Sequence, residues 1–515
     1  MKNIRKYIVA CAFIAIASSC DKGFVEINTN PYAINSINPG LLFSNAQRLT
    51  HAGTWEGEQT VVQQFVNAYN TGATAGFNFN EDNNNFNVPR WNDSYNNPIK
   101  LLTQILSLTK SDASKSNLYN MARIWKAYVF MGLVDTYGDV PYSEAGKAYL
   151  DAIFYPKYDK SAVIYEDLYN EIKNATAALD GAKDAVKEDM FFGTSASAVV
   201  QIGKWKKLGN ALLLRLGMRY SKLDEAKAKK IVQEAFSGGV IDANADNVYI
   251  QYNATYVNPL NAGPRGTNPY FYYLAEPFVN QLKSTSDPRM KYISGKYSDP
   301  NQVLALTPDT TAANQFGFPI GYDQTSVLKY ADYRGTKGTG QNYSQLNYTV
   351  FGSAIAPVFH ITNAQTKLLL AEAAFRGWLT GGLTAKEYYD AGVKASMDEY
   401  SLYPNVPNPA ISATAQNAYL NRPAIAFSTD KALEKINTQY WIASLGNGGE
   451  AFANFRRSNF PTLQSNNYNN NLQGGFVRRF AYPNEENSRN NKNYQEAVVS
   501  IGGADNLTTK VFWDK

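Results

Sequence analysis

Three stretches of this chain bring apolar residues back at three- and four-residue steps, and that period restricts the fold more than any other feature. Over 118–137 the recurring residues are Leu118, Met121, Trp125, Val129, Leu133 and Tyr137. Tyr165, Leu168, Tyr169, Ile172, Thr176 and Leu179 keep the same step, as do Trp205, Leu208, Leu212, Leu216 and Tyr220. A helical turn takes about 3.6 residues, so each set lines one face of an amphipathic helix. Between the first two lies Gly138-Asp139-Val140-Pro141-Tyr142, where Gly138 can end a helix and Pro141 stops it from resuming. Long helices paired across such breaks predict a mostly α fold, with tetratricopeptide-like hairpins stacked into a superhelical scaffold. Further helices are predicted over 41–49, 364–378, 384–400 and 429–445. Thr384-Ala385-Lys386-Glu387 supplies a capping box for one of them.

Two regions interrupt the period. Residues 72–87 are rich in Gly and Asn and read as a long irregular surface loop. From about 242 to 359, Gly, Pro, Asn and Tyr cluster without sustained spacing. A long irregular insertion in a compact protein usually serves function, so this region is expected to carry the ligand site.

The start of the chain has a different logic. Lys2, Arg5 and Lys6 precede an apolar run from 7 to 17, followed by Ser18-Ser19-Cys20. A basic segment, a short apolar segment and small residues before a cut describe a secretory signal, too short to span a bilayer. A cysteine directly after the small residues resembles a bacterial lipoprotein signal, with 1–19 removed and Cys20 acylated. The alternative is a plain signal peptide in which Cys20 is incidental. Residues 20–40 then form the lipidated N-terminus and tether, and 41–515 a single helical domain. Removing 1–19 takes away three positive charges and no acids, so the net charge falls from +5 to +2. A nearly neutral chain has no electrostatic reason to seek nucleic acid. Cys11 and Cys20 are the only cysteines, so no disulfide framework or thiolate metal site is expected, and stability must come from a packed core. No later run of about eighteen apolar residues follows, so no further membrane span is predicted.

Chemistry of the catalytic kind is thin. The two histidines, His51 and His360, do not form a metalloprotease spacing, and there is no nucleophile elbow or Walker loop. No cofactor is expected. Gly335-Thr336-Lys337-Gly338-Thr339-Gly340 looks phosphate-like but lacks a strand–helix setting and reads as a flexible loop. Asp242-Ala243-Asn244-Ala245-Asp246 has the opening spacing of a calcium loop without its Gly and distal Glu. By contrast there are 36 Tyr, 26 Phe and 7 Trp, with abundant Asn and Gln. Flat sugar faces stack on rings and amides match hydroxyl pairs, although most rings in a helical protein belong to its core.

Several stretches together resemble the SusD/RagB family of Bacteroidetes outer-membrane lipoproteins. They run in order from 24–31 (FVEINTNP) through Arg123-Ile124-Trp125-Lys126-Ala127 to Tyr137-Gly138-Asp139-Val140-Pro141-Tyr142. Trp205-Lys206-Lys207-Leu208-Gly209-Asn210, Leu214-Arg215-Leu216 and Asp287-Pro288-Arg289 come next, then 368–378 (LLLAEAAFRGW) and 449–457 (GEAFANFRR). Tyr482-Pro483 and Phe512-Trp513-Asp514 complete the series. The resemblance implies a helical scaffold and a binding protein, not an enzyme, that captures oligomeric nutrients, most often glycans. It also implies a SusC-like TonB-dependent channel as partner and an outer-membrane location, anchored by lipid and facing the exterior. The matched motifs read as scaffold: Glu372 and Arg376 lie at i,i+4, and Arg456-Arg457 follow Glu450 closely enough to pair with it.

Ligand contacts are therefore sought among rings on irregular loops, where stacking faces are not spent in the core. The candidates are Trp55, Phe77 and Phe79, and Tyr270, Phe271, Tyr272 and Tyr273, with the amides Asn78, Asn80 and Asn268 to meet hydroxyls. Trp91 and Tyr95, at an i,i+4 step, are assigned to the core. Two other classes remain open: a tetratricopeptide-like adaptor that binds only protein, and a glycosidase with two carboxylates hidden in the chain.

Overall fold

Where the period is strongest, the helices form as spaced. The computed structural model describes residues 37–50, 53, 55–69, 81–465, 472 and 475–515. Helix α1 (Pro39–Arg48) starts where the Asn38 side chain accepts from the Gly40 N–H. Helices α2 (Asn84–Ser94) and α3 (Lys100–Thr109) follow, joined by a π-helical turn at Tyr95–Ile99. Then come α4 (Ser116–Tyr137), α5 (Ser161–Ala178), α6 (Ala198–Arg219) and α7 (Glu225–Ser237). The Asn-rich text expected to be loop thus opens a helix at 84, because Asn83 caps it by accepting from the Asn85 N–H.

The long helices pack in sequence, α4 on α5, α5 on α6 and α6 on α7, as stacked helical pairs. Gly138, at φ 83, ends α4 in a conformation that costs other residues strain. At Gly209 a Cβ would overlap the Thr176 side chain, so the glycine lets α6 approach α5 closely. A second set, α8 (Glu276–Ser284), α9 (Asn363–Phe375), α10 (Ala385–Asp398), α11 (Ala432–Ala443) and α12 (Gly448–Ser458), continues the scaffold. Helix α9 packs on α10, α11 and α6, while α12 packs on α11 and α4. The Thr384–Glu387 capping box forms as read, and Thr362 and Gln365 make another at the start of α9.

Buried charge ties these helices together. Glu372 on α9 takes both guanidinium arms of Arg457 on α12, at 2.8 and 2.7 Å, and also pairs with Arg376 at 2.9 Å. The expected pairing of Glu450 with Arg456-Arg457 does not occur. Glu450 instead meets Arg215 at 3.2 Å and Arg219 at 2.7 Å from α6, while Arg456 donates to the carbonyls of Phe452, Asp135 and Arg478. Helix α12 buries both arginines against different neighbours, so proximity in sequence did not decide the partner. Trp91 and Tyr95 are core rings, with centroids 4.9 Å apart.

The region 242–359 is less irregular than its composition suggests. It contains α8 and short strands that pair with distant text. Tyr272–Leu274 lies antiparallel to Phe65–Asn67, and Val248–Ile250 to Val358–Ile361. The glycine-rich 335–340 segment is a hairpin, Thr336–Lys337 against Gly340–Gln341, not a phosphate loop. Between Asp242 and Asp246 sits the Lys207 ammonium, 2.8 Å from each, which fills the place a cation would take.

Candidate functional site

Two cavities adjoin at Gly263, the second of them beside the strand pair formed by Phe65–Asn67 and Tyr272–Leu274. One, of about 500 Å³, lies between the C-terminal end of α1, the π-helical turn and the loop 252–263. The other, of about 730 Å³, lies over Asn67, Tyr69 and the segment 266–272. Gly263 lines both.

Loop amides hold the wall between them. The Asn253 side chain accepts from the Thr255 and Tyr256 N–H groups at 2.9 Å, and Asn261 donates to the carbonyls of Phe351 and Ser353 at 2.9 and 3.0 Å. Asn258 donates to the Ala356 carbonyl at 3.0 Å. These amides satisfy backbone that has no strand partner, which is why the loop keeps one shape. Tyr256 and Val257 are left at its tip, 63% and 50% exposed.

In the second cavity, strand pairing sets the rings. Alternation along Tyr272–Leu274 sends Tyr273 inward, fully buried, with its ring 5.2 Å from Phe318 and its oxygen accepting from the Gln341 N–H at 2.8 Å. Tyr273 is thus a core residue, not an exposed ring. Phe271 and Tyr270, half-buried, face the cavity instead, with centroids 4.2 Å apart, and Tyr69 stacks on Phe271 at 4.6 Å and 29°. Asn268 is exposed at the rim, and Tyr272 lies on the wall.

Trp55 also departs from its expected place. It is 1% exposed, packs on Phe65 at 4.9 Å and Phe351 at 6.1 Å, and donates from its indole to Asn261 at 3.2 Å. Distant segments fold over it, so it backs the first cavity as a buried ring. Cys20, Phe77, Asn78, Phe79 and Asn80 lie outside the described residues. Three groups escaped the sequence reading: Tyr69, Tyr256 and Glu56. Tyr256 carried a signal, since it stands between the turn-forming Asn253 and Asn258.

Charge at the groove is sparse: Arg48, Glu56 and Asp93 border the first cavity. Burial raises the Glu56 carboxyl above its ordinary range, and a hydrogen bond from Tyr272 offsets part of that. Burial, then the nearby Glu56, raises the Tyr272 phenol in turn. A further cleft of about 630 Å³, beside α8 and α11, has mainly polar and charged walls, and its Tyr389 is buried and donates to the Ile425 carbonyl. The first two cavities combine partly exposed rings with pinned polar loops. Among the described residues no group of three His, Cys, Asp or Glu side chains is placed to hold a metal ion.

Residues 31–483 match a family described as starch-binding and associating with the outer membrane. The chain belongs to this SusD-like family. Solved structures agree. A chitin-binding protein is 29% identical with a TM-score of 0.79, covering 93% of this chain and 100% of its own. A SusD-like protein from Bacteroidetes is 26% identical with a TM-score of 0.78, covering 93% and 100%. A chitin-binding SusD homolog from Flavobacterium johnsoniae, at 23% identity and a TM-score of 0.71, covers 92% and 97% and shares the fold. Comparison with curated proteins finds no match. The mostly helical fold read from the period and the SusD-like family read from the resemblance are thereby established, and no described helix is long and apolar enough to cross a membrane.

Proposed function

We propose that this SusD-like protein binds oligosaccharides in the groove formed by the two cavities and delivers them to a SusC-like TonB-dependent channel. It acts without turning its ligand over, held at the outer membrane by lipid on Cys20 after loss of 1–19, with 41–515 as one domain. The observation that carries the reading is the cluster of Tyr69, Phe271 and Tyr270 rings lining the second cavity, beside fixed polar loops. Stacked rings with few charges suit the flat faces and hydroxyls of neutral sugars. The chitin-binding relative at 29% identity and the starch-binding description of the family support a glycan over a peptide.

The test is calorimetry of the purified protein against chitin-derived and starch-derived oligosaccharides. Saturable binding to one series with intact sugars recovered afterwards is the expected result. Shortened oligosaccharides by mass spectrometry would instead favour a glycosidase.

A further inference from the structure

We propose that the two cavities are paired subsites for a single oligosaccharide crossing Gly263, and that this glycine sets the preferred chain length. The inference rests on the glycan-binding reading of the groove. Its starting point is a glycine that the fold does not require. Gly263 is not in the left-handed region where glycine is favoured, unlike Gly138. Nor is it packed against a neighbour, unlike Gly209. A Cβ at 263 would meet only the Glu56 Oε1 at 3.6 Å and the Tyr272 Oη at 3.9 Å, both ordinary contacts. Glycine at a position any residue could adopt costs chain entropy on folding for no local return.

What the missing side chain provides is clearance. Gly263 lines both cavities, so it is the saddle between them. Beside it stand Glu56 of the first cavity and Tyr272 of the second, whose polar atoms are the two a Cβ at 263 would meet. Each side has its own ring surface: Tyr256 on the first, Tyr69, Phe271 and Tyr270 on the second. A chain short enough to fit one side gains from one ring set. A chain that crosses the saddle engages the second set intramolecularly, at the high effective concentration a short link gives. A branched side chain at 263 would block that crossing while leaving the rings of each subsite in place.

The experiment titrates full-length protein in detergent with chitin-derived and starch-derived oligosaccharides from disaccharide to hexasaccharide. Wild-type affinity for the bound series is expected to rise at least about tenfold from the shortest to the longest member. Gly263→Leu should weaken the hexasaccharide far more than the disaccharide and so remove most of the gain with length. Gly263→Ala, whose added methyl makes only ordinary contacts, should stay close to wild type and serve as the control for folding. A flat length profile in the wild type overturns the paired subsites while leaving glycan binding standing. The same holds if Gly263→Leu keeps the full gain, or loses all lengths equally while melting normally. Absence of binding to every member of both series overturns the inference together with the functional reading beneath it.

Discussion

Phe271 and Trp55 are aromatic residues on the same groove with opposite duties. Phe271 is half-buried between Tyr69 and Tyr270 at the cavity, while Trp55 is covered by Phe65 and Phe351. Phe271→Ala is therefore expected to weaken oligosaccharide binding by about 1–2 kcal/mol and leave the melting temperature nearly unchanged. Trp55→Ala should cost about 3–5 kcal/mol of stability in denaturant titration, as Trp125→Ala and Trp205→Ala should. Equal melting of Phe271→Ala and Trp55→Ala would overturn this division. Sequence composition signalled rings on loops but not which rings a distant segment covers: Asn261 and Phe351 reach Trp55 only in three dimensions. Glu399 makes a second case at this scale. Burial raises its carboxyl to about 8, against hydrogen bonds from Thr362 and Asn247 that pull it down. The folded state then holds a proton that the unfolded chain releases near its ordinary value of 4.5. Stability tied to this group is complete below that value and is lost as pH rises through about 8, with a slope of up to about 1.4 kcal/mol per pH unit. Glu399→Gln should flatten this decline in melting curves between mild acid and mild alkali. An unchanged profile would place the titration elsewhere.

Between elements, the bond of α9 to α12 through Glu372 and Arg457 shows what spacing can and cannot reveal. The i,i+4 pair of Glu372 with Arg376 was legible, because a helix brings those positions together. Its buried partner Arg457 was not, nor was the engagement of Glu450 by α6, since these pairs follow from how helices stack. Likewise the long helices announced themselves by period, whereas the short strand pairs that shape the groove join text far apart and leave no periodic trace. Burial opposes the charge on Glu372, but Arg457 outweighs it and holds the carboxyl down at about 2. This contribution is present above the ordinary 4.5 and is lost as pH falls toward about 2, the reverse of Glu399. Either Glu372→Leu or Arg457→Leu strands a buried charge and should cost about 3–5 kcal/mol. The double variant should cost clearly less than the two summed, because both buried charges go together and only the partly exposed Arg376 loses its partner. Additive losses in a denaturant cycle would show the pair to be uncoupled.

At the scale of the whole molecule, the proposal joins a lipid at one end of the chain to a ligand groove built from its folded body, and the two must be separable. A multiply acylated N-terminus holds a protein at a membrane stably, whereas a chain without acyl groups has no such anchor. Cys20→Ala is thus expected to move the protein out of the outer-membrane fraction and to abolish labelling by a fatty-acid precursor. The purified variant should still bind the same oligosaccharide with unchanged affinity, because the rings at 69, 256, 270 and 271 do not depend on the lipid. In cells, however, uptake should fall, since a binding protein released from the membrane cannot present its ligand to a channel there. Phe271→Ala provides the contrast: it should remain in the membrane fraction, yet lose both affinity and uptake. If Cys20→Ala stays membrane-bound and labelled, the lipid is attached elsewhere. If it is released but uptake is undiminished, delivery does not run through an anchored protein, and the groove serves capture alone.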